Sequence, residues 1–109
     1  MNDDAPLGTF EEQVMLAVLR IHEEAYGMAV RREIERVTER ELSIGAVYAT
    51  LDRLEAKGLV DSTRAQGEGS RRVFAVTARG AAALAESRAM RERLWNGIDI
   101  GRLIAGGGV

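Results

Sequence analysis

At 109 residues, 46% of them hydrophobic, the chain has the length of one domain, with enough apolar material for a core. Such a domain is still small, and self-association would bury useful extra surface. It has no cysteine, which excludes disulfides and thiolate metal centres, and no apolar run approaches the ~20 residues of a membrane span. The acidic start MNDDAPLG lacks the basic-then-apolar order of a secretory signal, so the cytoplasm is the expected compartment.

The first helix is expected from Thr9, with Thr9 and Glu12 at capping-box spacing. Phe10, Val14, Ala17, Val18 and Ile21 form its apolar stripe, which Met15, Leu16 and Leu19 broaden. A helix apolar over so much of its circumference is buried on more than one side, either centrally or against a second subunit. His22, the only histidine, sits at its end as a capping residue. A second helix is expected over 28–38, with Tyr26, Val30, Ile34 and Val37 at helical spacing and Arg31, Arg32 and Arg36 on the wet side. A short polar link, 39–42, follows.

The stretch 43–57, SIGAVYATLDRLEAK, is a third helix, capped by Ser43 and stopped by Gly58. Ile44, Val47, Leu51 and Leu54 share one stripe, with Tyr48 at its edge. Ala46, Ala49, Thr50, Arg53 and Lys57 lie opposite. A face so small and mildly basic can lie close against another surface, and the DNA major groove is one that admits a helix. Two helices joined by a tight link match a helix-turn-helix. The period then changes. Residues 59–64 and 71–77 read as two short strands around a polar turn at 65–70, with Arg64, Arg71 and Arg72 near its tip.

Thr77 caps a last long helix, 78–95, roughly 27 Å at 1.5 Å per residue. Ala83, Leu84, Ser87, Met90, Leu94 and Trp95 share its broad stripe, and Asn96-Gly97 ends it. Residues 97–109 read as a frayed tail, and the Asp3-Asp4 end as a disordered acidic one. The fold class is therefore mainly α with a small β-hairpin: a flexible 1–8, a winged helix-turn-helix over 9–77, a helix over 78–96 and the tail.

The formal charge of −2 does not advertise a nucleic-acid partner, but its distribution is uneven. Residues 1–24 carry −5 and residues 53–79 carry +3. A local basic patch suffices for DNA, because the Debye length at physiological salt is only ~8 Å. No nucleophile–base constellation, phosphate loop or metal-ligand cluster is present, so no catalytic residue, cofactor or metal is assigned.

LGTFEE at 7–12, EAYG at 24–27, SIGAVYATLDRLEAKGLV at 43–60 and SRRVFAVTARG at 70–80 resemble the PadR family of bacterial transcriptional regulators. The resemblance covers about residues 7–95, and its short length resembles the subfamily with a single C-terminal helix. Phe74 stands where that family usually has tyrosine. The resemblance implies a homodimeric winged-helix repressor on a palindromic double-stranded operator. It implies dimerisation through the last helix (Leu84, Met90, Leu94), with help from the first (Phe10, Val14). Some members respond to flat hydrophobic compounds, which makes Trp95 one wall of an effector pocket for a small aromatic ligand. The plainer reading of Trp95 is interface packing.

The expected DNA contacts are Tyr26, Ser43, Ala46, Tyr48, Ala49, Thr50, Arg53, Lys57, Arg71 and Arg72. Ala46, Ala49 and Thr50 would offer methyl groups to thymine, and Arg53 would reach a guanine or a phosphate. Tyr26 and Tyr48 would pack in the core with hydroxyls at the rim. Arg71 and Arg72 are adjacent in a strand, so only one of them can face DNA. The competing readings are a solvated helix face and a winged-helix module used for protein–protein contact.

Overall fold

The structure is a computed structural model and describes residues 6–64 and 71–106. The Asp3-Asp4 pair, the wing turn at 65–70 and the last three residues lie outside the described residues. The order is α1 (Thr9–Ile21), α2 (Gly27–Thr38), α3 (Ile44–Ala56), β1 (Val60–Arg64), β2 (Arg72–Val76), α4 (Ala78–Trp95) and α5 (Ile100–Ile104). This is the mainly helical fold with one antiparallel hairpin that the sequence periodicity predicts.

Helix starts follow local chemistry. Ser43 Oγ accepts from the Ala46 amide at 3.0 Å, and Thr77 Oγ1 from the Gly80 amide at 3.0 Å. At α1 the expected box shifts by one residue. Gly8 is the N-cap, and Glu11, not Glu12, reaches back to its amide at 2.9 Å. His22 closes α1 through its backbone, its amide bonding to the Val18 carbonyl at 2.9 Å. The α2–α3 link has no glycine. Glu39 takes the left-handed conformation instead (φ 57°), and Glu35 accepts from the Leu42 amide at 2.8 Å to fix the turn. Gly58 (φ 77°) and Gly97 (φ 85°) end α3 and α4 as expected.

The hairpin pairs Val60 with Val76 through Arg64 with Arg72. A single bridge between Tyr26 and Val73 adds the segment before α2 to its edge, with the Phe74 amide donating to the Ala25 carbonyl at 2.9 Å. The core lies between the three helices and this small sheet: Val14, Met15, Val18, Val30, Val47, Leu51, Leu54, Val60 and Phe74 are fully enclosed. Phe74 is buried on all sides, so the missing tyrosine hydroxyl has no solvent to reach.

Helix α4 runs antiparallel to α1. Arg91 bonds Glu12 near the start of α1, while Ala81 and Leu84 lie beside Leu16 and Leu19 further along. A Cβ at Gly80 would overlap the Leu59 carbonyl, so this glycine lets the first turn of α4 sit against the backbone just before β1. Beyond Arg91 the helix projects past the body, and the molecule measures 60 × 34 × 21 Å.

Three expectations are corrected. Thr50 is only 3% exposed, because the buried arc of α3 extends to its α1 side. Its hydroxyl accepts from Arg53 Nη2 at 3.3 Å and cannot offer a base contact. Val14 is wholly inside the protomer's own core, so it cannot face a partner. The tail is not simply frayed: α5 forms within it, with Asp99 Oδ1 accepting from the Arg102 amide at 3.1 Å.

Candidate nucleic-acid interface

Burying Val47, Thr50, Leu51 and Leu54 turns the opposite arc of α3 outward. That arc begins at the exposed Gly45, Ala46 and Ala49 and continues to Asp52 and Ala56. Over its first turn and a half nothing longer than a methyl group projects. Gly45 and Asp52 are part of this surface, although a stripe count centred on Thr50 misses them.

Tyr48 stands at one rim, half-exposed, with its ring laid over Gly27. Any Cβ at Gly27 would overlap that ring. The pair docks α3 on the start of α2 and leaves the Tyr48 edge at the surface, close to the expected core-plus-rim role. Tyr26 is half-buried at the N-cap of α2. The guanidinium of Arg71 lies 3.9 Å from the centroid of its ring. This cation–π contact holds an exposed cation beside the α2–α3 unit.

The two wing arginines divide as strand alternation requires. Arg72 turns the other way, onto α3. It bonds Asp52 Oδ1 at 3.0 Å and Glu55 Oε1 at 2.6 Å, and its guanidinium lies 4.9 Å from the Phe74 ring centroid. Arg72 therefore clamps the wing to α3. Arg64, opposite it in the hairpin, is exposed.

Arg53 and Lys57 are also committed. Arg53 Nε lies 3.3 Å and Lys57 Nζ 2.9 Å from Glu11 Oε2 on α1. Burial alone would raise the Glu11 pKa. The Gly8 amide, Lys57 and Arg53 outweigh it, and the net shift is below the usual carboxylate value. The side chains of Arg53 and Lys57 remain about half exposed at 52% and 46%, but at the α1 edge of the helix rather than at its outward centre. Glu11 is the structural residue that periodicity misses. An acid in a first helical turn reads as a dipole partner, and nothing local marks its pairing with residues 42 and 46 positions away.

Of the expected partner-facing residues, Phe10 is half-buried against the core, Met90 half-buried, and Leu94 and Trp95 are 74% and 57% exposed. Leu16 and Leu19 are exposed on α1, and with Ala81, Leu84 and Ala85 of α4 they line a groove of about 440 Å³. No helix among the described residues is long and apolar enough to cross a membrane.

Three helices, a tight link between the second and third, and a hairpin bridged to the segment before α2 define a winged helix-turn-helix protein. The chain belongs to the PadR-like family of transcriptional regulators, whose sequence profile matches residues 15–86. It is 38% identical over 86 residues to the transcriptional regulator Rv3488 of Mycobacterium tuberculosis, across 72% of this chain and 79% of that one. A PadR family regulator from Eggerthella lenta superposes with a TM-score of 0.65 at 28% identity, covering 84% of this chain and 80% of that one. RosR of H. salinarum, solved in a complex, gives 0.71 at 24% identity over 97% and 89% of the two chains, a likeness of fold alone.

Proposed function

We propose that this PadR-family regulator is a homodimeric, sequence-specific DNA-binding repressor that inserts the N-terminal half of α3 into the major groove. The outward arc of α3 carries the reading. Gly45, Ala46 and Ala49 let the helix backbone approach base edges, and methyl groups suit thymine. Ser43 and Tyr48 flank that arc, and Arg71 supplies a phosphate contact beside it. Arg53 and Lys57 serve as backbone-directed charge at the edge, with Thr50 inside the fold. The apolar groove between α1 and α4 and the exposed Leu94 and Trp95, which a second copy would cover, support a dimer. Its half-sites should lie about 34–36 Å apart, one helical turn. Trp95 then sits where two protomers meet and offers a flat surface for an aromatic effector that releases the operator.

The test is a gel shift on the DNA upstream of the chain's own coding region, comparing the native protein with Ala49→Glu. A carboxylate on that arc faces phosphates and base acceptors, so specific affinity should fall by at least about tenfold with stability and dimerisation unchanged. Undiminished binding by Ala49→Glu would move the interface off α3. Affinity that hardly changes with salt would favour a protein-binding module, because DNA binding releases counterions.

A further inference from the structure

We infer that Arg31, on the α3-facing edge of α2, takes a phosphate of the DNA strand that borders the groove entered by α3. The placement of the side chain stands on its own contacts. That the phosphate belongs to DNA rests on the reading above, to which Arg31 adds a contact.

Helical spacing counts Arg31 among the solvated residues of α2, and the structure places it elsewhere. Gly27, one turn before it, lies under the Tyr48 ring of α3. Glu35, one turn after it, accepts from the Leu42 amide in the link to α3 at 2.8 Å. Residues four apart share one face of a helix. Arg31 therefore stands between these two contacts, beside the start of α3.

Its bonding sets it apart. Arg20, Arg36, Arg53, Lys57, Arg72 and Arg91 each donate to a carboxylate. Arg31 Nε is enclosed and has no hydrogen-bond partner among the described residues. Glu35 Oε2 lies 3.7 Å from it, too far for a hydrogen bond, and that same oxygen holds the Leu42 amide. The acid one turn away is thus committed to fixing the turn. It balances the charge of Arg31 without taking its donors. An enclosed N–H without an acceptor is costly, so an acceptor from outside the fold has something to gain there. The side chain is 30% exposed, held against the fold yet open on one side. A guanidinium offers its donors as a planar fork, which matches two oxygens of one phosphate.

The fold supplies the phosphate. In a helix-turn-helix the second helix enters the major groove while the first crosses the DNA backbone. Here α2 is that first helix, and its edge beside the start of α3 meets the strand as α3 goes in. Arg71 is held over the Tyr26 ring at the N-cap of α2. Arg31 and Arg71 together put two cations on the N-terminal half of α2.

Arg31→Gln removes the charge, and Arg31→Lys keeps it without the fork. Affinity for the upstream DNA and for an unrelated duplex is measured across a salt series, beside urea denaturation of each variant. Arg31→Gln should weaken both DNAs alike, by about fivefold or more, and flatten the log–log salt slope by about 0.9, the release of one counterion. Arg31→Lys should keep the native slope and lose less affinity. A slope unchanged by Arg31→Gln overturns the inference; with a lower urea midpoint it makes Arg31 a structural residue of the α2–α3 joint. A loss confined to the upstream DNA overturns it too, since a phosphate contact carries no sequence information. Ala49→Glu separates this inference from the reading of α3. Impaired binding by Ala49→Glu with an unchanged Arg31→Gln slope overturns the Arg31 contact alone. Undiminished binding by Ala49→Glu with a flattened Arg31→Gln slope overturns the α3 reading and leaves Arg31 a phosphate contact. No binding to either DNA overturns both.

Discussion

Replacing Glu11 with glutamine should destabilise the fold by about 1–2 kcal/mol at neutral pH, between the ranges for exposed and buried ion pairs. The carboxylate is 9% exposed and accepts from the Gly8 amide at 2.9 Å, Lys57 Nζ at 2.9 Å and Arg53 Nε at 3.3 Å. An exposed pair is worth about 0.2–1 kcal/mol, whereas breaking a fully buried one costs about 3–5 kcal/mol. Here the anion is enclosed but both cations keep roughly half their surface in water, so they rehydrate when the charge is removed and the loss falls between those limits. Glutamine keeps the Gly8 contact and the packing, which isolates the charge. For a domain of this size the melting temperature should drop by roughly 5–10 °C. The pH dependence has a definite sign. The folded-state pKa lies below the ordinary value of 4.5, so the unfolded chain binds the proton first on acidification. The advantage of the native protein over Glu11→Gln is therefore complete above the unfolded value. It fades as the pH falls through the lower folded one. Urea denaturation of both proteins from neutral pH to about pH 3 measures this directly. Equal stability at neutral pH, or a difference that persists undiminished in acid, would refute the reasoning.

The wing arginines should separate cleanly. Arg71→Ala should cost no more than the exposed Tyr26 cation–π contact, about 0.5–1 kcal/mol, and flatten the salt dependence of DNA binding by about one phosphate contact, read from affinities across a salt series. Arg72→Ala should instead cost about 0.5–1.5 kcal/mol of stability, because it releases Asp52 and Glu55, seen as a lower urea midpoint. Gly80→Ala should destabilise by about 1–3 kcal/mol despite the better helix propensity of alanine, since the new methyl group meets the Leu59 backbone carbonyl; calorimetry checks it. Trp95 is the sole tryptophan, so planar hydrophobic compounds that quench its fluorescence should also lower operator affinity in a gel shift. If Trp95→Ala still releases DNA normally on adding such a compound, the ligand binds elsewhere.

The elements were legible because each carries its own punctuation. Ser43 and Thr77 are short side chains that can bond only a nearby amide, and Gly58 and Gly97 take a backbone conformation that most residues avoid. The excess apolar surface of α1 was legible too: Leu16 and Leu19 keep much of their surface on the outside of the protomer. What periodicity cannot give is the phase of a helix against its neighbours. On α3 the buried arc is set by α1 as well as by the core stripe. It takes in Thr50, whose hydroxyl is satisfied by Arg53, and this rotates the outward arc toward Gly45, Ala49 and Asp52.

The same limit explains the charges. Arg53, Lys57 and Arg72 look from the sequence like free cations on a DNA-facing surface, and each is matched by an acid on another element. Neighbouring acids on α1 do complementary work: Glu11 holds α3 through Arg53 and Lys57, while Glu12 holds α4 through Arg91. One turn of α1 thus fixes both the helix proposed to meet DNA and the helix proposed to meet the partner. Any rotation of α4 against the body must strain the Glu12 contact or carry that turn of α1 with it. A shift of α1 in turn pulls on Arg53 and Lys57. An effector that changed how two protomers cross would move the recognition helices only as far as it favours one such arrangement over the other.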